Sequence, residues 1–163
     1  MSQKISLKTD DICRVLITGA NGFVGKNLAW RLSELTGFVV ITFNREDDAE
    51  LLKDLVKNID VIVHLAGENK PKNNRDFATV NAGLTNLLCD VVRREIECSN
   101  RKIPLILASS SQAHLFNDYG KSKLAAEMAV RSLVESHKNP CMVFRFPGIF
   151  GKWCKPNYNS VVA

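Results

Sequence analysis

The 163-residue chain lacks the features that mark several common classes of protein. Its uninterrupted apolar runs are only a few residues long, whereas a membrane-spanning helix needs about 20 apolar residues. Its first residues, 1–12, are polar and mixed in charge, so they do not form the apolar stretch of a secretory signal. The five cysteines are odd in number and show no paired spacing, which favours reduced thiols over a disulfide framework or a zinc site. We therefore expect a cytoplasmic protein with no membrane partner and no bound metal.

A block of basic residues is also absent, although the formal net charge is +5. The lysines and arginines are spread along the chain without a recognition-helix motif, which argues against a nucleic-acid partner. A modest positive charge suits an anionic small ligand such as a dinucleotide or a nucleotide-sugar. With 45% hydrophobic and 24% charged residues, the composition fits one globular domain with a sizeable core.

Five short apolar runs are typical of buried strands, and turns or helical patterns separate them. Runs that are almost continuous in Val, Ile and Leu indicate burial on both faces, as in a parallel sheet covered by helices on each side. We therefore expect an α/β fold with a doubly wound parallel sheet, that is, a Rossmann fold. The predicted strands are 13–18, 38–43, 61–65, 105–108 and 142–146.

Unusual local sequences follow all five predicted strands. In doubly wound sheets, ligands bind beyond the carboxyl ends of the strands, which meet at one edge. The sequence therefore predicts a single site that is built from these strand ends. Its parts are Gly19–Gly25, Asn44-Arg45, Ala66-Gly67, Ser109–Ser111 and Pro147-Gly148.

Three evenly spaced glycines, Gly19, Gly22 and Gly25, follow the first strand and open a predicted helix over 23–33. Glycine permits a tight turn and a close approach of the backbone to a pyrophosphate, which then lies on the free N–H groups of the helix. The alternative is a glycine-rich turn that binds nothing. The strand before the glycines and the helix after them favour a dinucleotide site.

The residues after the second strand bear on the choice of cofactor. An acid at this position, about twenty residues past the glycine loop, would hold the ribose 2′-hydroxyl of NAD, whereas an arginine accommodates the 2′-phosphate of NADP. Here Asn44 replaces the acid and Arg45 follows it, which favours NADP(H). In the alternative, Arg45 is a solvated loop residue and Glu46 or Asp47 holds the ribose.

Tyr119 and Lys123 lie one turn apart at the head of the apolar stripe of a predicted helix, where apolar residues would be usual. A ketone that receives a hydride needs a proton donor. An ammonium beside a phenol favours the ionised phenol, so that the pair can act as acid or base near neutral pH. The alternative is an exposed tyrosine and a solvated lysine, but the glycine loop upstream favours the catalytic interpretation. The stripe continues through Ala126, Val130, Leu133 and Val134.

A serine after the fourth strand completes the predicted catalytic set, because its hydroxyl can stabilise negative charge that develops on a substrate oxygen. The register of the strand favours Ser110, with Ser111 as the alternative. We otherwise place Ser111 and Gln112 on the substrate side of the site. No residue is assigned to a metal.

Other polar residues have a structural interpretation beside the functional one. Asn81 faces inward and needs partners, which strand-end backbone or an ordered water would provide. His64 is expected to be a satisfied core residue, and Asp48 an exposed loop acid rather than an adenine contact. Trp153 and Tyr158 are open between substrate contact and local packing.

Together these motifs resemble the extended short-chain dehydrogenase/reductases, a group that includes nucleotide-sugar epimerases, dehydratases and reductases. The resemblance begins near Arg14 and implies a Rossmann domain that binds a nicotinamide dinucleotide. It is carried by Thr18–Gly25, His64–Gly67, Asn81–Leu88, the Tyr119/Lys123 pair and Arg145-Phe-Pro. The expected cofactor contacts are Gly19, Asn21, Gly22, Phe23, Val24, Gly25, Asn44, Arg45, Leu65, Ala66, Gly67, Tyr119, Lys123 and Pro147.

A narrower resemblance rests on Gln112-Ala113, on the short gap between the serines and Tyr119, and on the segment Phe150–Ser160. These features are similar to the bacterial reductases of UDP-2-acetamido-2,6-dideoxy-hexuloses in capsular-polysaccharide and O-antigen synthesis. The resemblance implies NADPH-dependent reduction of a UDP-linked 4-keto-6-deoxy-N-acetylhexosamine to a sugar of the UDP-N-acetyl-6-deoxy-talosamine type. It also implies a C-terminal cupin domain that performs epimerisation, and a homodimer of the full-length protein.

The chain departs from that group in two respects. Gly148 stands where the group usually has Asn, near the expected position of the substrate. The sequence also ends at Ala163, before the substrate-binding segment is complete. We therefore expect one dinucleotide-binding domain over 1–163, with an N-terminal extension at 1–12 and the start of the substrate-binding segment at 152–163. The alternatives are an epimerase or dehydratase with bound NAD, and a cofactor-binding fragment without turnover.

Overall fold

The computed structural model describes residues 12–68 and 77–154, in which parallel strands alternate with helices. The predicted extension at 1–12 and segment at 152–163 lie largely outside these residues, and Tyr158 lies wholly outside them. The strands are β1 (Cys13–Thr18), β2 (Phe38–Phe43), β3 (Val61–His64), β4 (Leu105–Ser110) and β5 (Cys141–Phe146). The helices are α1 (Phe23–Ser33), α2 (Ala49–Lys57), α3 (Leu84–Ser99) and α4 (Asp118–His137), with a π-helical segment (Phe77–Gly83) before α3 and a 3-10 turn (Ser111–His114) after β4.

The sheet has the strand order β2-β1-β3-β4-β5, and every neighbouring pair is parallel. The chain passes from β1 outward to β2 and then returns to the other side of β1 as β3. The crevice between the carboxyl ends of β1 and β3 is therefore the topological switch point, where doubly wound sheets bind their ligands. This topology confirms the predicted Rossmann-type fold.

The helices cover the two faces of the sheet unequally. The larger core lies under α2, α3 and α4 and includes Leu16, Leu52, Ile62, Leu88 and Leu133, all fully buried. The smaller core on the opposite face joins α1 to β1 and includes Val15 and Ile17. Within the described ranges, each helix is too short or too polar to span a bilayer.

Strand β5 does not show the burial on both faces that the apolar runs predict. It forms one edge of the sheet, and Met142, Val143 and Phe144 are between 39% and 54% exposed. Burial on both faces requires helices on both sides of a strand. On the face of the sheet that α1 covers, the apolar side chains pack with β1, β2 and β3, but not with β5.

The boundary of β4 also corrects the sequence interpretation. The strand was expected to end at residue 108, but it continues to Ser110, so Ser109 and Ser110 are strand residues rather than turn residues. They pair in register with Arg145 and Phe146 of β5. Because successive strand residues point to opposite faces, this register sends the two serine side chains in opposite directions.

The start of α4 is fixed by local contacts that set the position of Tyr119. The Asn117 side chain caps the helix by accepting a hydrogen bond from the backbone N–H of Gly120 at 2.6 Å. A Cβ on Gly120 would collide with the carbonyl oxygen of Gln112 and would lie 2.5 Å from that of Leu115. The first turn of α4 therefore packs closely on the 3-10 turn that follows β4.

Candidate active site

A large cleft lies at the carboxyl ends of the strands. Its volume is about 1280 Å³, more than the 300–1,000 Å³ of ordinary small-molecule sites. Every residue that the sequence predicts for cofactor, substrate or catalysis lines this cleft, from Gly19 to Pro147. The structure therefore brings the predicted residues together, while their individual roles remain predictions.

The glycine loop is packed so tightly that side chains cannot replace two of its glycines. Gly19 has a φ of 72°, and a Cβ there would lie 2.7 Å from the backbone of Ala66. A Cβ on Gly25 would collide with the carbonyl oxygen of Gly19 and lie 2.6 Å from the Cα of Ala20. The loop thus joins β1, the start of α1 and the end of β3 by direct backbone contact.

The N-terminus of α1 opens into the cleft and suits an anion. Gly22 is the N-cap residue and supplies no side chain to the first N–H groups, and the first turn contains no acidic residue. The first N–H groups of a helix have no partner within the helix, and the positive end of the helix dipole lies there. These residues fit the pyrophosphate of a dinucleotide, as the glycine spacing predicts.

At one end of the cleft, the residues after β2 form a compact turn. The side chain of Asn44 accepts a hydrogen bond from the backbone N–H of Asn21 at 3.2 Å, which ties this turn to the glycine loop. The carboxylate of Asp47 accepts the N–H of Asn44 at 2.7 Å and is therefore engaged within the turn. Arg45 Nη2 lies 3.2 Å from Glu68 Oε2, with the Arg45 side chain 69% exposed.

At the other end, Lys123 is a buried cation. It is only 8% exposed, and its Nζ donates a hydrogen bond to the carbonyl oxygen of Ala108 at 3.3 Å. Burial lowers the pKa of Lys123 to about 8. The ammonium lies 5.9 Å from the centre of the Tyr119 ring, and a Cβ on Gly67 would lie 2.9 Å from it.

The three serines after the middle of β4 have different partners. Ser109 donates to Glu127 Oε1 at 2.5 Å, on the face that carries α4. Ser110 is 7% exposed, lines the cleft, and accepts the backbone N–H of Gln112 at 3.2 Å. Ser111 is exposed at the rim of the cleft. Ser109 and Ser110 are both buried and both line the cleft, but only the Ser109 hydroxyl donates to Glu127.

Glu127 holds the ends of β4 and β5 together. Arg145 donates two hydrogen bonds to its carboxylate, from Nε at 2.8 Å and from Nη2 at 2.6 Å. Partial burial opposes ionisation, but the hydrogen bonds from Arg145 and Ser109 hold the pKa of Glu127 below its ordinary value. This cluster positions the strand ends from which Ser110 and Pro147 enter the cleft.

Asn81 is a buried residue whose partners match the expected ones. Its Oδ1 accepts the backbone N–H of Glu68 at 2.8 Å, and its Nδ2 donates to the carbonyl oxygen of Glu68 and to Ser122 Oγ, both at 3.0 Å. Ser122 in turn donates to the carbonyl oxygen of Tyr119. Asn81 therefore links the loop after β3 to the helix that carries Tyr119.

His64 is a buried core residue with a partner on each ring nitrogen, as the sequence predicts. Thr85 donates its hydroxyl hydrogen to the carbonyl oxygen of Asn81, so it can only accept from His64 Nε2, at 2.9 Å. Nδ1 is then the acceptor of the Thr18 hydroxyl at 2.6 Å. Burial first, and the charge of Lys123 second, lower the pKa of His64 to about 3.

Sequence reasoning missed Glu68 and Glu127, although both are close in sequence to predicted motifs. Glu68 directly follows Gly67, so its position beyond the end of β3 was available from the strand pattern. Asp48, in contrast, is the N-cap of α2 and accepts the N–H of Glu50 at 3.0 Å, which agrees with its structural interpretation. Trp153 lines the cleft and also packs edge-on against Trp30 at 6.4 Å.

The switch-point cleft, the glycine loop and the open helix N-terminus define a dinucleotide-binding α/β domain. The chain belongs to the NAD dependent epimerase/dehydratase family, whose model matches residues 15–163. It is 47% identical over 150 residues to the UDP-2-acetamido-2,6-beta-L-arabino-hexul-4-ose reductase of Pseudomonas aeruginosa. That match covers 92% of this chain and 39% of the relative, so the chain spans about two-fifths of its length.

Solved structures also resemble this chain in fold. The capsular polysaccharide assembling protein CapF of Staphylococcus aureus superposes with a TM-score of 0.76 at 40% identity, over 91% of this chain and 39% of that protein. The UDP-glucuronic acid 4-epimerase of Bacillus cereus, in complex with UDP-glucuronic acid and NAD, has a TM-score of 0.76 at 20% identity. It is covered over 60% of its length and 89% of this chain, and at this identity it supports the fold alone.

Proposed function

We propose that the protein containing this chain is an NADP(H)-dependent reductase. Its substrate would be a UDP-linked 4-keto-6-deoxy-N-acetylhexosamine, in the synthesis of capsule or O-antigen sugars. The observation that carries the proposal is the buried ammonium of Lys123 beside Tyr119, in the same cleft as the glycine loop Gly19–Gly25. The similarity to a hexulose reductase supports the substrate class.

The bound nicotinamide would supply the hydride, and the chain would supply the proton. In this proposal, the Tyr119 hydroxyl donates its proton to the ketone oxygen as negative charge develops there. The Lys123 ammonium stabilises the phenolate that remains. At pH 7 this lysine is still protonated, because neutral pH lies below its pKa of about 8.

The hydrogen-bond partners of the serines support Ser110 as the third catalytic group. Ser109 uses its hydroxyl hydrogen on Glu127. Ser110 accepts from Gln112 and so keeps its own hydrogen to donate to a substrate oxygen. Ser111 and Gln112 are proposed to contact the substrate from the rim.

The remaining predicted residues are proposed to hold the cofactor. Gly19–Gly25 would receive the pyrophosphate, and Leu65–Gly67 with Pro147 would line the nicotinamide end of the cleft. Arg45 would bind the 2′-phosphate of NADP, since no acid occupies the position of Asn44. A cytoplasmic location, from the unpaired cysteines and the absence of an apolar N-terminal stretch, and a homodimer of the full-length protein, from the family resemblance, complete the proposal.

One observation favours the second candidate, an epimerase or dehydratase with bound NAD. Glu68 places a carboxylate beside Arg45, where it could accept a hydrogen bond from a ribose hydroxyl. Binding of cofactor without turnover is the third candidate. The absence of an acid at Asn44 and the 47% identity to a reductase favour reduction.

A turnover assay with the full-length protein tests the proposal. Consumption of NADPH is followed with UDP-4-keto-6-deoxy-N-acetylhexosamine as substrate, and NADPH binding is measured separately by fluorescence. We expect Tyr119→Phe to lower turnover by about 10²- to 10⁴-fold, with the affinity for NADPH nearly unchanged. Ser110→Ala should lower turnover far more than Ser111→Ala.

Three results would reject parts of this assignment. A Tyr119→Phe enzyme with wild-type turnover removes Tyr119 from catalysis. An equal loss in the two serine variants removes the distinction between Ser110 and Ser111. NADPH binding without any consumption in the wild-type protein supports the binding-only candidate.

A further inference from the structure

Glu68 is an acid at the end of the cleft where the proposed function places the 2′-phosphate of NADP. Its Oε2 atom lies 3.2 Å from Nη2 of Arg45, although the two residues are 23 positions apart in sequence. The Glu68 side chain is 21% exposed and that of Arg45 is 69% exposed. The arginine is thus the more exposed partner of the pair, and the acid is the more enclosed one.

The backbone of Glu68 is held from the interior of the protein. Asn81 is 1% exposed and binds both the N–H and the carbonyl oxygen of Glu68, at 2.8 Å and 3.0 Å. Asn81 is itself fixed by Ser122 of α4 at 3.0 Å. Because both backbone groups of Glu68 are engaged with one buried amide, the backbone from which its carboxylate extends toward Arg45 is held in place.

We infer that Glu68 determines how strongly this cleft prefers NADPH to NADH. The inference rests on the proposed function, because it requires Arg45 to bind the 2′-phosphate. The phosphate and the Glu68 carboxylate are both anions that pair with the same guanidinium. Glu68 therefore competes with the phosphate for Arg45.

NADH lacks the 2′-phosphate and is affected differently. Its ribose 2′-hydroxyl can donate a hydrogen bond to a carboxylate, so Glu68 does not oppose it. The acid that the sequence lacks at Asn44 is then supplied by the loop after β3. The cleft accordingly has a weaker preference for NADPH than Arg45 alone would produce.

A double-mutant cycle on the full chain tests this inference. Dissociation constants for NADPH and NADH are measured by cofactor fluorescence for wild type, Glu68→Gln, Arg45→Gln and the double variant. We expect Glu68→Gln to tighten NADPH binding by about three- to tenfold, the size of a partly exposed charge interaction. NADH affinity should stay unchanged or weaken. In the Arg45→Gln background, Glu68→Gln should change NADPH affinity by less than about twofold.

Glu50→Gln is the matched control, because it removes one negative charge from the first turn of α2. Glu50 pairs with Lys53 at 2.6 Å and does not line the cleft. We expect it to leave both dissociation constants unchanged. The gain from Glu68→Gln should also shrink as ionic strength rises, because the Debye length falls from about 10 Å at 0.1 M salt to about 3 Å at 1 M.

The outcomes separate this inference from the proposed function. If Arg45→Gln weakens NADPH binding but Glu68→Gln leaves it unchanged, only the inference about Glu68 is wrong. If Arg45→Gln leaves NADPH binding unchanged, the proposed phosphate contact is wrong and the inference fails with it. An equal gain from Glu68→Gln with and without Arg45, or from Glu50→Gln, also overturns the inference, because the effect would then be one of net charge.

Discussion

Lys123 and Arg45 are the cations at the two ends of one cleft, and the protein holds them in opposite ways. Lys123 is 8% exposed, and burial lowers its pKa to about 8. The Arg45 side chain is 69% exposed and is oriented by an ion pair with Glu68. The charge of Lys123 at the buried end thus depends on packing and protonation. The ion pair of Arg45 at the exposed end is an interaction that salt can screen.

The difference indicates that different physical effects govern the two ends of the cleft. At the buried end, Gly67 and Tyr119 lie beside a cation that water barely reaches. Under the proposed function, a change of packing or pH there would alter turnover directly. At the exposed end, a change of charge would alter only the affinity for the cofactor. If this division holds, changes at the buried end should have larger effects than changes of charge at the exposed end.

A methyl group added at the buried junction should be far more harmful than one added at the rim. Gly25→Ala places a Cβ against the Gly19 carbonyl and 2.6 Å from the Cα of Ala20, and these backbone atoms cannot rotate away. We expect a loss of about 3 kcal/mol or more in the free energy of unfolding, together with loss of NADPH binding. Gly148→Ala is the control, since nothing lies within 4 Å of its Cβ. Equal stability of the two variants in denaturant titrations would show that the glycine junction is not rigid.

Removing the buried cation should abolish most turnover, while removing an exposed one on the same helix should not. Lys123→Met is expected to lower turnover by about 10²-fold or more, because the proton donor loses its charged neighbour. Lys121→Met is the control, because Lys121 is exposed on the same helix. If both variants lose turnover equally, the effect belongs to the helix and not to the ammonium.

The same lysine predicts how turnover depends on pH. The ammonium is lost as pH rises through its pKa of about 8, so turnover should decline above that pH. The free energy of unfolding depends on pH in the opposite sense. Between about 8 and the ~10.5 of an exposed lysine, the unfolded chain binds more protons than the folded one, so the contribution of this residue to stability rises with pH. A turnover profile and a denaturation series over this range measure both.

His64 should make the protein sensitive to acid. Its pKa is about 3 in the fold, whereas an exposed histidine titrates near ~6.5. Between these values the unfolded chain binds the extra proton, so stability falls as pH falls, by at most about 1.4 kcal/mol per pH unit. His64→Gln should flatten this slope and, at pH 7, destabilise the fold by about 1–3 kcal/mol. The same substitution at the exposed His114 is the control. An unchanged dependence of stability on pH in His64→Gln would contradict the prediction.

Local patterns were sufficient to predict most of the sheet and the position of the cleft. The bounds of β1, β2 and α1 match the predicted ranges, because glycines and almost continuous apolar runs mark their ends within a few residues. The helical spacing of Tyr119 and Lys123 also placed both side chains in the cleft. Prediction was weaker at β4 and β5. The serines after Ala108 were expected to form a turn, but the strand continues through Ser110 and pairs with β5 at Arg145.

Which residues lie at the strand ends and on one helix face follows from the chain alone, because these relations repeat every two or every three to four residues along it. The partners of those residues were set by the folding of the whole domain. It directed Ser109 to Glu127 and Ser110 to the cleft, placed Glu68 beside Arg45, and buried Asn81 against the loop that carries Glu68. Such contacts depend on strand order and register across the sheet, which no periodicity within a single segment encodes.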